Sequence, residues 1–144
     1  MAKGTRGGKR EGSGLANSKQ LEQETFITDM LANYDSFPRG DLQGAVEAFA
    51  MNNKINDDLL MREIDSRAEQ MKNRKWETVR DGRTSYQRKL INDYRDKNNR
   101  YRLYKKGNGQ LELTIYRGEN NYGDSYSGSL VSLMGIVKDN WNKK

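Results

Sequence analysis

Arg102, Tyr104 and Lys106 alternate along one short segment, and Tyr116 stands where a returning strand would lie beside it. In extended chain, residues two apart share a face. Cations interleaved with flat rings on one strand face suit a single-stranded nucleic acid, with phosphates on the cations and bases on the rings. The other reading is structural: the tyrosines cover helices and the cations solvate the surface. No RNP-type aromatic sequence accompanies them.

A second basic concentration, Lys72, Arg74 and Lys75, surrounds Trp76 and is followed by Arg80 and Arg83. The Trp76 ring could stack on a base or an arginine, anchor an interface, or close the edge of a small core. A third lies at the start of the chain. Met1 to Gly14 holds five glycines with Lys3, Arg6, Lys9 and Arg10, and no apolar residue falls between Ala2 and Leu15. Glycine makes ordering costly and nothing there offsets the cost, so residues 1–16 read as a flexible arm. The arm is either a phosphate-contacting tail or a solubilising leader. The candidate nucleic-acid contacts are therefore Lys3, Arg6, Lys9, Arg10, Arg74, Lys75, Arg102, Tyr104, Lys106 and Tyr116.

Charge is sorted along the chain. Residues 1–20 carry five Lys/Arg against one acid, residues 21–71 four against eleven, and residues 72–106 thirteen against four. The last 38 residues balance at four each, leaving the chain at +6. A sorted basic surface points to a polyanionic partner, either nucleic acid or a nucleoprotein complex. The acids Asp57, Asp58, Glu63, Asp65 and Glu69 read as the solvated face of a helix. They could also complement the basic third or dock on a basic protein. Their spacing matches neither an EF-hand loop nor a nuclease metal motif.

The chain has no cysteine and no histidine, which removes disulfides, thiolate chemistry, the usual neutral-pH base and the commonest zinc ligand. No catalytic residue, cofactor or metal is expected, and the chain reads as a binding protein rather than an enzyme. Apolar runs are far shorter than the roughly 20 residues of a membrane span. The basic start lacks a signal-peptide h-region. A soluble, cytoplasmic protein without a membrane partner is the expectation.

Two local resemblances appear. Lys3-Gly4-Thr5-Arg6-Gly7-Gly8-Lys9 resembles the basic glycine-rich leaders of phage and prophage accessory and virion-associated proteins. Ile115-Tyr116-Arg117-Gly118, with Ser125, Ser127 and Ser129 after it, is similar to the first elements of the arginine-containing ADP-ribosyltransferases. That resemblance implies an Arg117 gripping the phosphate and ribose side of NAD, a supporting serine, and a later glutamate polarising the ribose. The chain departs from the pattern at the glutamate: 26 residues follow Gly118, and Glu119 is the sole glutamate among them. The resemblance therefore implies a truncated, non-catalytic remnant.

The elements that must hold these residues follow from periodicity. Helices are expected at about 18–34, 41–51, 57–73, 85–97 and 129–141. The third has Leu60, Ile64, Ala68 and Met71 in one stripe, and the fourth has Tyr86, Leu90, Ile91 and Tyr94 inward. Asp81-Gly82 marks a turn. A hairpin is expected at about 101–117 around Gly107-Asn108-Gly109, and a polar loop at 119–128. The expected fold is a single α+β domain over 17–144, mostly helical, with one antiparallel hairpin. The expected function is a binding protein engaging nucleic acid or a nucleoprotein enzyme, with inhibition of a CRISPR-type host defence nuclease as one job that fits its size and composition. The alternative is a protein–protein module in phage virion assembly.

Overall fold

The computed structural model describes residues 18–143; the arm expected at 1–16, with Lys3, Arg6, Lys9 and Arg10, lies outside the described residues. The chain runs α1 (Ser18–Ala32), α2 (Arg39–Asn53), α3 (Asp57–Asn73), β1 (Glu77–Asp81), β2 (Thr84–Arg95), β3 (Asn99–Lys106), β4 (Leu111–Arg117), β5 (Gly123–Gly128) and α4 (Leu130–Asn140). The strands form one antiparallel sheet in chain order, curled into a half-barrel. The expectation of a mostly helical domain with a single hairpin is thus corrected. The sheet is the organising element, and the expected hairpin is its third and fourth strands.

The helices cover one face of the sheet, with α1 and α3 on β2, α4 on β4 and β5, and α2 against α3. The α3 stripe works as spaced: Leu60, Ile64, Ala68 and Met71 are all buried. The Asn56 side chain caps that helix by accepting the Leu59 N–H at 3.0 Å. Tyr101, Leu103, Leu113 and Ile115 meet Leu133 and Val137 of α4 in the core. Among the described residues no helix is long and apolar enough to cross a membrane.

The expected helix at 85–97 is the strand β2. A β-bulge between Leu90 and Asn92 inserts Ile91 as an extra residue, which shifts the alternation phase halfway along the strand. Apolar residues therefore fall at 86 and 90 on one face, and at 91 and 94 on the other. That spacing reads as a helical stripe. A buried polar network fixes the bulge: Asn92 donates to Thr28 Oγ1 at 2.9 Å, while Arg67 spans Glu24 at 2.9 Å and Asn92 Oδ1 at 3.1 Å.

Two strands arise where none was expected. Asp81 pairs with Thr84 across a two-residue loop in which Gly82 takes φ 62°, so the predicted turn is a hairpin turn. The polar loop expected at 119–128 contains β5, an edge strand that contributes Tyr126 to the core margin. A Cβ on Gly123 would stand 2.4 Å from the Thr114 methyl, so only glycine allows this approach of β5 to β4.

Between β2 and β3, the buried Asp96 carboxylate accepts the N–H groups of Asn98 at 2.7 Å and Asn99 at 2.8 Å, as well as the Tyr101 hydroxyl. It also accepts the Asn142 N–H at 2.7 Å, fastening the segment after α4 to the β2–β3 turn.

Candidate nucleic-acid interface

The register places Tyr86, Arg88, Asp93 and Arg95 of β2, Arg100, Arg102, Tyr104 and Lys106 of β3, and Glu112, Thr114 and Tyr116 of β4 on the face opposite the helices. Because the sheet curls, this face is partly closed over itself. The Tyr86 hydroxyl and the Arg88 guanidinium reach past β3 to the Glu112 carboxylate, which is 2% exposed. Arg88 also holds Glu77 at 2.6 Å and lies over the Tyr104 ring, 3.8 Å from its centroid.

Tyr104 is 2% exposed. The expectation that its ring is open to a base is therefore corrected, because Arg88 already occupies that ring. Lys106 is half-buried, its ammonium 4.7 Å from the Tyr86 ring centroid. This middle zone is structural. Burial pushes the Tyr86 phenol up, and the hydrogen bond to Glu112 adds to it, bringing the group to about 12.

Tyr34, Tyr94, Tyr101 and Tyr104 are also raised above the ordinary phenol value of 10.0, burial being the leading cause in each. A raised folded pKa stabilises the fold below the unfolded value, and that stabilisation is lost as pH rises through the folded one. Thermal melts should therefore hold steady up to about pH 10 and fall steeply toward pH 12, with the main rise in phenolate absorbance coinciding with unfolding. Full tyrosine titration without loss of melting temperature would contradict this.

The open part of the face lies at its other end. Arg95, Arg100, Arg102 and Tyr116 line a cleft of about 310 Å³ with Gly118, Glu119, Asn120 and Asn121. Gly118, at φ 62°, turns the chain out of β4 into this loop, and its N–H donates to the Asn98 carbonyl at 2.7 Å. Asp93 binds Arg100 at 3.0 and 2.6 Å and Arg102 at 3.2 Å. Burial pushes the Asp93 carboxyl up, but its bonds to the two arginines outweigh that and hold it below its ordinary value. One carboxylate thus fixes two guanidiniums while leaving Arg100 Nη1 and Arg102 Nη2 without a hydrogen-bond partner among the described residues. Arg95 is exposed and makes no ion pair within that region.

Of the expected contacts, then, the structure brings Arg102 and Tyr116 together. Arg74 instead donates to the Leu90 carbonyl at 2.9 Å, tying the end of α3 to β2. Lys75 is exposed next to Trp76 in the chain and does not line the cleft. Trp76 is 45% exposed with the Lys89 ammonium 5.3 Å from its ring, so it does not seal a core edge. Arg95 was missed because a helix at 85–97 would carry it elsewhere, and Arg100 because it falls between that helix and the hairpin expected at 101–117. The signal for them was the Asn98-Asn99 turn, which sets flanking strand ends side by side.

The acidic helix is partly neutralised from within: Asp65 pairs with Arg39 at 2.7 Å and Glu63 with Arg67 at 3.0 Å. Arg117, the residue of the ADP-ribosyltransferase resemblance, forms an ion pair with Asp124 and donates to Asn140 Oδ1 at 3.2 Å. Among the described residues no group of three or more acidic side chains is placed to hold a metal ion. No family model, no curated protein and no solved structure matches the chain.

Proposed function

We propose that this is a non-enzymatic protein that binds single-stranded nucleic acid, or a nucleoprotein complex presenting it, in the cleft of Arg95, Arg100, Arg102 and Tyr116. The observation that carries this reading is the guanidinium pair held ready on Asp93 beside the half-exposed Tyr116 ring. Guanidiniums fixed in advance lose little freedom on meeting a phosphate, and an adjacent ring stacks on any base. Inhibition of a host defence nuclease by a phage-encoded protein is one role such binding would serve.

In fluorescence anisotropy with a labelled oligonucleotide across a salt series, Tyr116→Ala should cost about 1–3 kcal/mol with an unchanged salt slope, because stacking releases no counterion. Arg95→Ala should make the slope shallower by about 0.7. Absence of binding at low salt, or identical behaviour of the two variants, would overturn the reading.

A second reading, a protein–protein module, is favoured by one feature. An apolar groove of about 690 Å³ runs between α1 and α4, with Leu21, Phe26, Phe49, Leu130 and Val131 in its walls. Binding there would be insensitive to salt.

A further inference from the structure

The β1–β2 ribbon outruns the sheet. β3 pairs with β2 from Arg88 to Arg95, so Thr84 to Gln87 have β1 as their only strand partner. The Gln87 carbonyl accepts the Gly107 N–H of the β3–β4 loop at 2.9 Å, so three extended residues, Thr84 to Tyr86, project about 10 Å beyond the sheet. Alternation sorts the ribbon's charge by face. Glu77, Asp81 and Arg88 fall on the face away from the helices, where Glu77 is held by Arg88. The other face carries Thr78, Arg80, Ser85, Gln87 and Lys89 and has no acid, with Arg83 in the loop at the tip. Arg80 and Arg83 are exposed, and no carboxylate of the described residues pairs with them.

We propose that this ribbon enters the major groove of double-helical DNA, with Thr78, Ser85 and Gln87 toward the base edges and Arg80 and Arg83 at the phosphates. The B-form major groove, about 12 Å wide and 8.5 Å deep, admits a two-stranded ribbon lying along it with one face toward the bases. The deep, narrow major groove of A-form RNA does not admit it. Side chains that both donate and accept share this face with Arg80, which stands opposite Ser85, and Arg83 lies beyond them at the tip, whereas a protein partner would call for an apolar centre. A single strand would call for rings along the ribbon, and the paired residues of this face, Thr78, Arg80, Ser85 and Gln87, carry none; Trp76 stands at its base with the Lys89 ammonium 5.3 Å from its ring. The site is separate from the cleft and faces the other way, so the two readings stand or fall apart.

The test is anisotropy with labelled duplex DNA, duplex RNA and single-stranded DNA across a salt series, for the full chain and two variants. Arg80→Ala combined with Arg83→Ala should make the duplex-DNA slope shallower by about 1.8 and leave single-strand binding unchanged, while Arg95→Ala should do the reverse. Both arginines are exposed, so equal melting temperatures would confirm that the variants are folded. Duplex RNA bound as tightly as duplex DNA, or an unchanged duplex slope in the double variant, would overturn the proposal. Loss of single-strand binding alone in Arg95→Ala, with the ribbon result as expected, supports it. If no single-strand binding is found at all, the cleft reading fails and the duplex result still decides this one.

Discussion

Arg88→Ala should destabilise the fold by about 3–5 kcal/mol, because it leaves the Glu112 carboxylate buried without its cation. Glu112 is 2% exposed, and its two oxygens are served by Tyr86 and Arg88. The truncation also uncovers the Tyr104 ring, which the guanidinium covers at 3.8 Å. Urea unfolding at neutral pH measures the loss. The cause is separable from lost packing. Removing both charges with Arg88→Met and Glu112→Leu should recover most of the stability, since a buried pair replaced by well-packed apolar groups is often neutral. A single variant within about 1 kcal/mol of wild type would show that water reaches Glu112 and that the sheet does not close over it.

Asp96→Ala should cost about 3–5 kcal/mol, since each buried donor left unmade is worth about 1–3. The carboxylate collects three backbone N–H groups and the Tyr101 hydroxyl. It ties the β2–β3 turn to the chain after α4, so the loss should appear both in urea unfolding and as faster amide exchange at Asn98, Asn99 and Asn142. Asp96→Asn should rescue little, because its NH₂ would face donors where an acceptor is needed. Full rescue by asparagine would show that the charge and the second oxygen are dispensable.

The sequence was legible where one face of an element is buried along its whole length. The stripe Leu60, Ile64, Ala68, Met71 and the alternation Leu111, Leu113, Ile115 each report a single uninterrupted face, and both are buried as spaced. It misled at β2, where one bulge moves the apolar phase and the period of two is lost within 12 residues. β1 and β5 were hidden for a different reason. Each is an edge strand pairing with a single neighbour, so most of its side chains face solvent and carry no apolar period. The site followed the same logic. Arg102 and Tyr116 could be put on one face from the hairpin alone, and Arg100 by extending the same strand one step further, whereas Arg95 needed β2 to be a strand. The burial of Tyr104 depends on the curl of the sheet, and no local pattern encodes that.

The central claim is that a base lies on Tyr116, between the arginines of the cleft, and photochemical crosslinking tests it most directly. A single-stranded DNA oligonucleotide carrying 5-iodouracil, irradiated with the full chain at low salt and mapped by mass spectrometry, should attach to Tyr116. The yield should fall as salt rises and in the Arg95→Ala variant. Crosslinks confined to Trp76, or an attachment at Tyr116 indifferent to both salt and Arg95, would contradict the account.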